Sequence, residues 1–200
     1  MRYIVGVDEV GRGPLAGPVS IGIVVAESNY EFSTIYQGLR DSKLMTEMAR
    51  KRTFEIARAE SERGVIRFGV YSTDSRVIDE LGIEVAIQGA LARGMNELAP
   101  DSTNSEVFLD GRLKAPEEFT QSSIIHGDNL IPVISLASVV AKVTRDSYME
   151  TQDELYPVYG FSSHKGYGTA RHLEAIRGHG PSPIHRMSFL RNVLSATINA

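Results

Sequence analysis

The chain predicts an α/β protein: one mixed sheet flanked by helices, with a helical and loop segment appended at the C-terminal end. Three observations carry that prediction. Two apolar, strand-like runs open the chain and are separated by the turn-rich stretch GRGPLAGP. Strand-like and helix-like runs then alternate through residue 150, as a sheet covered by helices requires. The last fifty residues differ, holding most of the histidines, several Gly and Pro, and the pairs Tyr159-Gly160 and Tyr167-Gly168. The expected organisation is a main unit over residues 1–150, with residues 151–200 packed on it as an extension rather than a second independent domain.

The elements follow in order. Residues 3–8 (YIVGVD) read as a short buried strand and residues 19–26 (VSIGIVVA) as a second, in which Gly22 allows close backbone approach. Residues 46–63 are rich in helix formers, with Thr46 as N-cap and Gly64 just past the end. Residues 65–72 (VIRFGVYS) form a third strand. In residues 82–98, Ile83, Ala86, Ile87, Ala90, Leu91 and Leu98 fall on one face at helical spacing. Residues 106–110 (EVFLD) form a fourth strand and 122–126 (SSIIH) a fifth. Residues 133–150 carry an apolar helical stripe, with Lys142, Arg145 and Asp146 on the opposite, polar side. Residues 169–178 form another helix, capped by Thr169. There is no internal repeat and no low-complexity tract.

Composition bounds the function without choosing it. The chain has 200 residues, 42% hydrophobic and 23% charged, an ordinary globular balance. No apolar run is long enough to cross a bilayer. Asp8 and Glu9 interrupt the N-terminal apolar run, so no signal peptide is expected and a cytoplasmic location fits. The absence of cysteine excludes disulfides and thiolate metal sites. A net charge of −4 gives no sign of the basic face that nucleic-acid binders usually carry, although net charge says little about a local patch.

The chemistry is expected at four acids. Asp8 and Glu9 end the first strand, Asp110 ends the fourth, and Asp128 stands in HGDN before a long helix. Carboxylates at strand ends can point into a shared crevice, where open α/β sheets place their ligands. Such acids raise one another's pKa unless a cation is present. Hard oxygen donors suit Mg²⁺ or Mn²⁺, and two such ions would offset the net charge of −4. A single strand-end Asp is, however, more often a helix cap or turn former. Asp8 and Glu9 are also neighbours, and neighbours on a regular strand face opposite ways. Both serve one site only if the strand bends there or if Glu9 offers its backbone carbonyl.

Several longer stretches resemble one family, the type 2 ribonucleases H. They are DEVGRGPLAGP at 8–18, DSK at 41–43, LDG at 109–111, GD at 127–128, ASVVAKVTRD at 137–146, HKGYGT at 164–169 and HRMSF at 185–189. The likeness spans nearly the whole chain, without departure at a motif position. The short stretch between Asp110 and Asp128 looks more like the bacterial branch than the archaeal one. The resemblance implies a ribonuclease H-like fold with a five-stranded mixed sheet, and Asp8, Glu9, Asp110 and Asp128 as the carboxylates holding Mg²⁺ or Mn²⁺, two ions in all. It further implies that Gly11, Arg12 and Gly13 read the ribose 2′-hydroxyl. Tyr167 would pack on the deoxyribose that follows the ribonucleotide. The implied activity is two-metal hydrolysis of the RNA strand of RNA–DNA hybrids and cleavage 5′ of ribonucleotides embedded in duplex DNA, serving ribonucleotide removal and primer clearance.

Residue by residue, plainer readings stand beside these. A Gly-Arg-Gly triplet is by itself a tight turn, and a tyrosine between glycines is by itself a surface tyrosine. Lys43 and Lys142 are the favoured phosphate contacts because they lie in motifs; Arg145, Lys165 and Arg186 are weaker candidates. Asp146 reads as a structural partner of a nearby base. No histidine pair fits an HExxH zinc site, and His164 and His185 are expected to hold loops in place. The tail LSATINA shows no docking motif for a sliding clamp, and a monomer is the default. The rival functions are a related metal-dependent DNA junction resolvase, a small-molecule phosphatase and a non-catalytic hybrid-binding module.

Overall fold

The computed structural model describes residues 2–191. The elements run β1 Tyr3–Val10, β2 Val19–Glu27, α1 Phe32–Ile35, α2 Glu47–Glu62, β3 Ile66–Thr73, α3 Ser75–Leu81 and α4 Ile83–Leu98. They continue with β4 Ser105–Asp110, β5 Thr120–Ile124, α5 Gly127–Leu130, α6 Pro132–Leu155, α7 Phe161–His164 and α8 Ala170–His179. The five strands form one mixed sheet in the order β3-β2-β1-β4-β5. β1 is antiparallel to β2 and parallel to β4, and β4 is parallel to β5.

Alternation along the strands divides the core into two layers. Val5, Val7, Ile21, Ile23, Val107 and Leu109 face α4 and meet Ile87, Ala90 and Leu91. The opposite face, with Val24 and Ala26, packs on the α6 stripe of Val133, Leu136, Ala137 and Val140. α6 lies so close that a Cβ on Gly6 or Gly22 would stand 2.3 Å from the carbonyl oxygens of Val133 and Ala137 respectively. Two glycines thus let α6 cross the sheet beside the C-terminal tips of β1 and β4, where the acids sit.

The predicted elements form with small shifts. Thr46 and Thr169 cap α2 and α8 as expected, accepting from the backbone N–H groups of Ala49 and His172. β5 ends two residues earlier than predicted: Ile124 is the last partner of Asp110, and His126 then takes a left-handed conformation (φ 57°) that turns the chain into α5. The sequence reading passed over α3, a short helix capped by Asp74. Arg145 departs most from expectation. It is buried on α6, not exposed on a polar face, and donates to the carbonyls of Pro18, Ala16 and Lys165. Beyond α6, Tyr159, Phe161, Ile176 and Leu190 join Ala16 and Met149 in a third apolar cluster, which seats the C-terminal segment against the turn between β1 and β2.

Candidate active site

Asp8 lies at the tip of β1 on the α6 face, only 5% exposed. One carboxylate oxygen accepts from the Glu9 N–H at 2.7 Å, and the Ser138 hydroxyl on α6 also binds the group. Asp110 ends the neighbouring parallel strand and points to the same face, with Leu109 opposite Val7 in the register. Its Oδ1 accepts from the Gly127 N–H at 2.8 Å, which joins β4 to the start of α5. The next residue is Asp128, 3% exposed, whose carbonyl accepts from the Ser135 hydroxyl at 2.7 Å. Three acids from three elements are thus held near one another by short local bonds.

Their charges are mutually unfavourable. Burial, and then the charges of Asp110 and Asp128, push the Asp8 carboxyl up to about 7 against the partial relief of Ser138 and Glu9. Burial raises Asp128 as well, helped by Asp110 and Asp41. Lys43 offers partial compensation at 3.7 Å from Asp128. Burial works against the charge of Lys43, but Asp41, Asp128, Asp8 and Asp110 outweigh it and raise its pKa.

Glu9 behaves differently. β1 stays in register through Val10, so no bend brings the two carboxylates to one side. Glu9 leaves on the α4 face and shares a depression of about 300 Å³ with Arg12, Glu84, Asp110 and Arg112. Arg12 spans the Glu9 carboxylate, 3.2 Å from each oxygen, and also pairs with Glu84. Burial raises the Glu9 pKa, and Arg12 opposes it. Asp110 lies between the two groups, acting electrostatically on both Asp8 and Glu9.

The donor set fits hard divalent cations: all carboxylate oxygen, with an excess of like charge that a cation would relieve. Among the described residues, no three Asp, Glu, His or Cys side chains already stand in a finished cage. A cation would have to draw the acids together, Glu9 above all.

Beside the acids, the turn after β1 carries Gly11, Arg12 and Gly13. Gly11 has φ +86°, and a Cβ there would meet the Arg145 Nε at 2.2 Å and the Pro18 oxygen at 2.7 Å. Gly13 is the contrary case: a Cβ would meet nothing within 4 Å. Arg186, expected as a weak phosphate contact, is instead fully buried and donates to the carbonyls of Gly11, Arg12 and Gly17. Burial, then the neighbouring Arg145, lower its pKa to about 9. Tyr167 is 43% exposed on the next loop, which is tied to the same turn by Leu15 N–H donating to Gly166 at 2.8 Å. Lys142 is engaged by Asp146 at 2.8 Å, and Lys165 by Glu150 at 2.7 Å.

Sequence reading missed several contributors. Ser138 binds Asp8 and in turn contacts the Ser42 hydroxyl at 2.8 Å. Asp41 caps the DSK turn by accepting from the Lys43 N–H at 2.8 Å, and its carboxylate helps to raise the Asp128 pKa. Arg50 secures that turn by donating to the carbonyls of Ser42 and Met45. Ser138 and Asp41 lie inside quoted motifs, which was signal enough; nothing local marks Arg50 or Glu84.

A five-stranded mixed sheet with acidic tips, covered by helices on both faces, is a ribonuclease H-like fold. The sequence matches the ribonuclease HII family over residues 5–192. It is 43% identical to the ribonuclease HII of Caldicellulosiruptor bescii over 196 residues, covering 97% of this chain and 89% of that one. It is 42% identical to that of Clostridioides difficile over 194 residues, covering 96% and 71%. Among solved structures, ribonuclease H2 from Pyrococcus horikoshii superposes with TM-score 0.77 at 25% identity, covering 99% and 100%. A ribonuclease HIII solved with Mn²⁺ shares the fold at TM-score 0.68 and 16% identity, covering 100% and 71%. The chain belongs to the ribonuclease HII family and is an enzyme of the ribonuclease H type. No helix among the described residues is long and apolar enough to cross a membrane.

Proposed function

We propose that this enzyme hydrolyses the RNA strand of RNA–DNA hybrids and cuts duplex DNA on the 5′ side of an embedded ribonucleotide, leaving a 3′-hydroxyl and a 5′-phosphate. The observation that carries this reading is the juxtaposition of an under-neutralised acidic crevice with a glycine turn whose Gly13 faces open space. A residue without a side chain, and with no neighbour demanding that it lack one, leaves backbone open to a ligand.

Asp8, Asp110 and Asp128, with Glu9 from the opposite face, would hold Mg²⁺ or Mn²⁺. When bound, a pair of such ions supplies Lewis acidity toward the phosphodiester and lowers the pKa of water. The chain's own residues do the rest. Ser138 and the Glu9 N–H orient Asp8, and Gly127 orients Asp110. Gly11, Arg12 and Gly13 approach the 2′-hydroxyl, the group that separates RNA from DNA. Tyr167 provides an exposed ring for the sugar that follows. Lys43 and Lys142 bind phosphates, Lys142 by exchanging Asp146 for the substrate. In this reading residues 1–150 are the catalytic unit and 151–200 a substrate-binding extension. The cellular role is ribonucleotide removal and primer clearance by a cytoplasmic monomer. The tail LSATINA, read above for clamp docking, lies outside the described residues.

The test is a gel assay on duplex DNA containing one ribonucleotide, with Mg²⁺, Mn²⁺ or chelator. Cleavage at the 5′ side of that nucleotide, abolished by chelator, is the expected result. Cleavage of all-DNA junctions in preference to that duplex, or of a chromogenic phosphomonoester alone, overturns it.

A further inference from the structure

Behind Tyr167 lies a buried group of three imidazoles, His164, His172 and His185. Their hydrogen bonds leave a single arrangement of protons. The Tyr167 carbonyl can only accept, so Nδ1 of His172, 2.9 Å away, carries a proton. Burial, the main influence, drops the pKa of His172 and of His185 to about 4, so both rings are neutral at pH 7. His172 therefore presents a bare Nε2, which accepts from His185 Nε2–H at 3.0 Å. His185 is left with a bare Nδ1, which accepts from the Ser182 backbone N–H and from its hydroxyl, both at 2.8 Å. The chain of donors runs one way, from Ser182 through His185 and His172 to the Tyr167 carbonyl.

The same segment reaches the other reader of the substrate. His185 bridges Ala16, and the Arg186 guanidinium gathers the carbonyls of Gly11, Arg12 and Gly17. The turn proposed to meet the 2′-hydroxyl and the ring proposed to meet the next sugar are thus anchored to adjacent residues.

We infer that His172, oriented by His185, is a positioning residue that sets the Tyr167 ring at a fixed distance from the Gly11–Gly13 turn and thereby sets selectivity for an RNA-to-DNA junction. This rests on the reading of Tyr167 as the sugar platform. A ring that only fills the core could be replaced by any ring. A positioning donor cannot be, because the His172 proton is one of two that hold the Tyr167 carbonyl, the Thr169 N–H being the other at 2.8 Å.

The readout is the ratio of kcat/KM on duplex DNA with one ribonucleotide to kcat/KM on an all-RNA strand paired with DNA. His172→Phe keeps the ring and removes the donor; the ratio is expected to fall about fivefold, the worth of one hydrogen bond. His172→Asn places an N–H where Nδ1 stood and is expected to restore the ratio. His185→Met, which removes the donor to His172, is expected to lower it in the same direction. Tyr167→Ala is expected to lower it about tenfold, as loss of a stacking ring does, and adding His172→Phe to it should change nothing more. A ratio unaltered in His172→Phe, or one that His172→Asn fails to restore, overturns the inference while a fall in Tyr167→Ala keeps the platform. An unaltered ratio in Tyr167→Ala overturns both.

Discussion

The acidic crevice and the arginine–histidine cluster behind it both bury ionisable side chains, and they do so in opposite ways. In the crevice, Asp8, Asp110 and Asp128 repel one another, and Lys43 offers only partial compensation. In the cluster, Arg145 and Arg186 direct their guanidinium nitrogens to six backbone carbonyls, and each of the three imidazoles has partners on both nitrogens. Burial of charge is therefore no mark of function by itself. Charge left uncompensated is what a cation-binding site would show, and charge fully matched points to architecture.

The sharpest break of this contrast is Asp110→Asn. It is expected to reduce cleavage by about a thousandfold or more, while hybrid binding, read by electrophoretic mobility shift, is retained. Full activity would remove Asp110 from the site. Arg186→Met probes the opposite region. It strands the carbonyls of Gly11, Arg12 and Gly17, and is expected to lower unfolding stability by about 3 kcal/mol or more in urea titrations.

Acid should separate the regions next. His172 and His185 sit at about 4 in the folded chain against an ordinary 6.5. Between those values the unfolded chain binds more protons, so stability falls as pH drops from 6.5 and the loss is complete near 4. The expected loss is roughly 3 kcal/mol per imidazole at most, read from unfolding midpoints, with His172→Phe flattening the slope. Asp8 acts with the opposite sign: its raised pKa means that, without cations, its ionisation between 3.8 and about 7 weakens the fold as pH rises. The smallest expected effect is that of exposed Lys43. Lys43→Met should weaken hybrid binding several-fold and reduce the salt slope by about one.

Much of this was legible in the sequence. The short apolar run of β1 and the 3.6-residue stripe of α4 place a sheet under a helix, and the strand-end acids fall where such sheets bind ligands. The opposed directions of Asp8 and Glu9 were legible too, because a strand that keeps its register cannot do otherwise. Arg145 and Arg186 were not. A long cation near polar residues looks like a surface group, and only the folded turn reveals the carbonyls that need it. The shift of β5 depended on the left-handed His126, which no local propensity announces. α3 was missed because its seven residues run almost directly into α4.

The pairing of β1 with β4 sets Tyr3 against Ser105 and Val7 against Leu109, so strands adjacent in space are remote along the chain. During synthesis Asp8 and Glu9 leave the ribosome long before their partners. Closing so long a loop costs more chain entropy than pairing β1 with its sequence neighbour β2. The acids therefore face one another only once that long-range pairing has formed, and a nascent chain halted before Asp128 lacks one of the four.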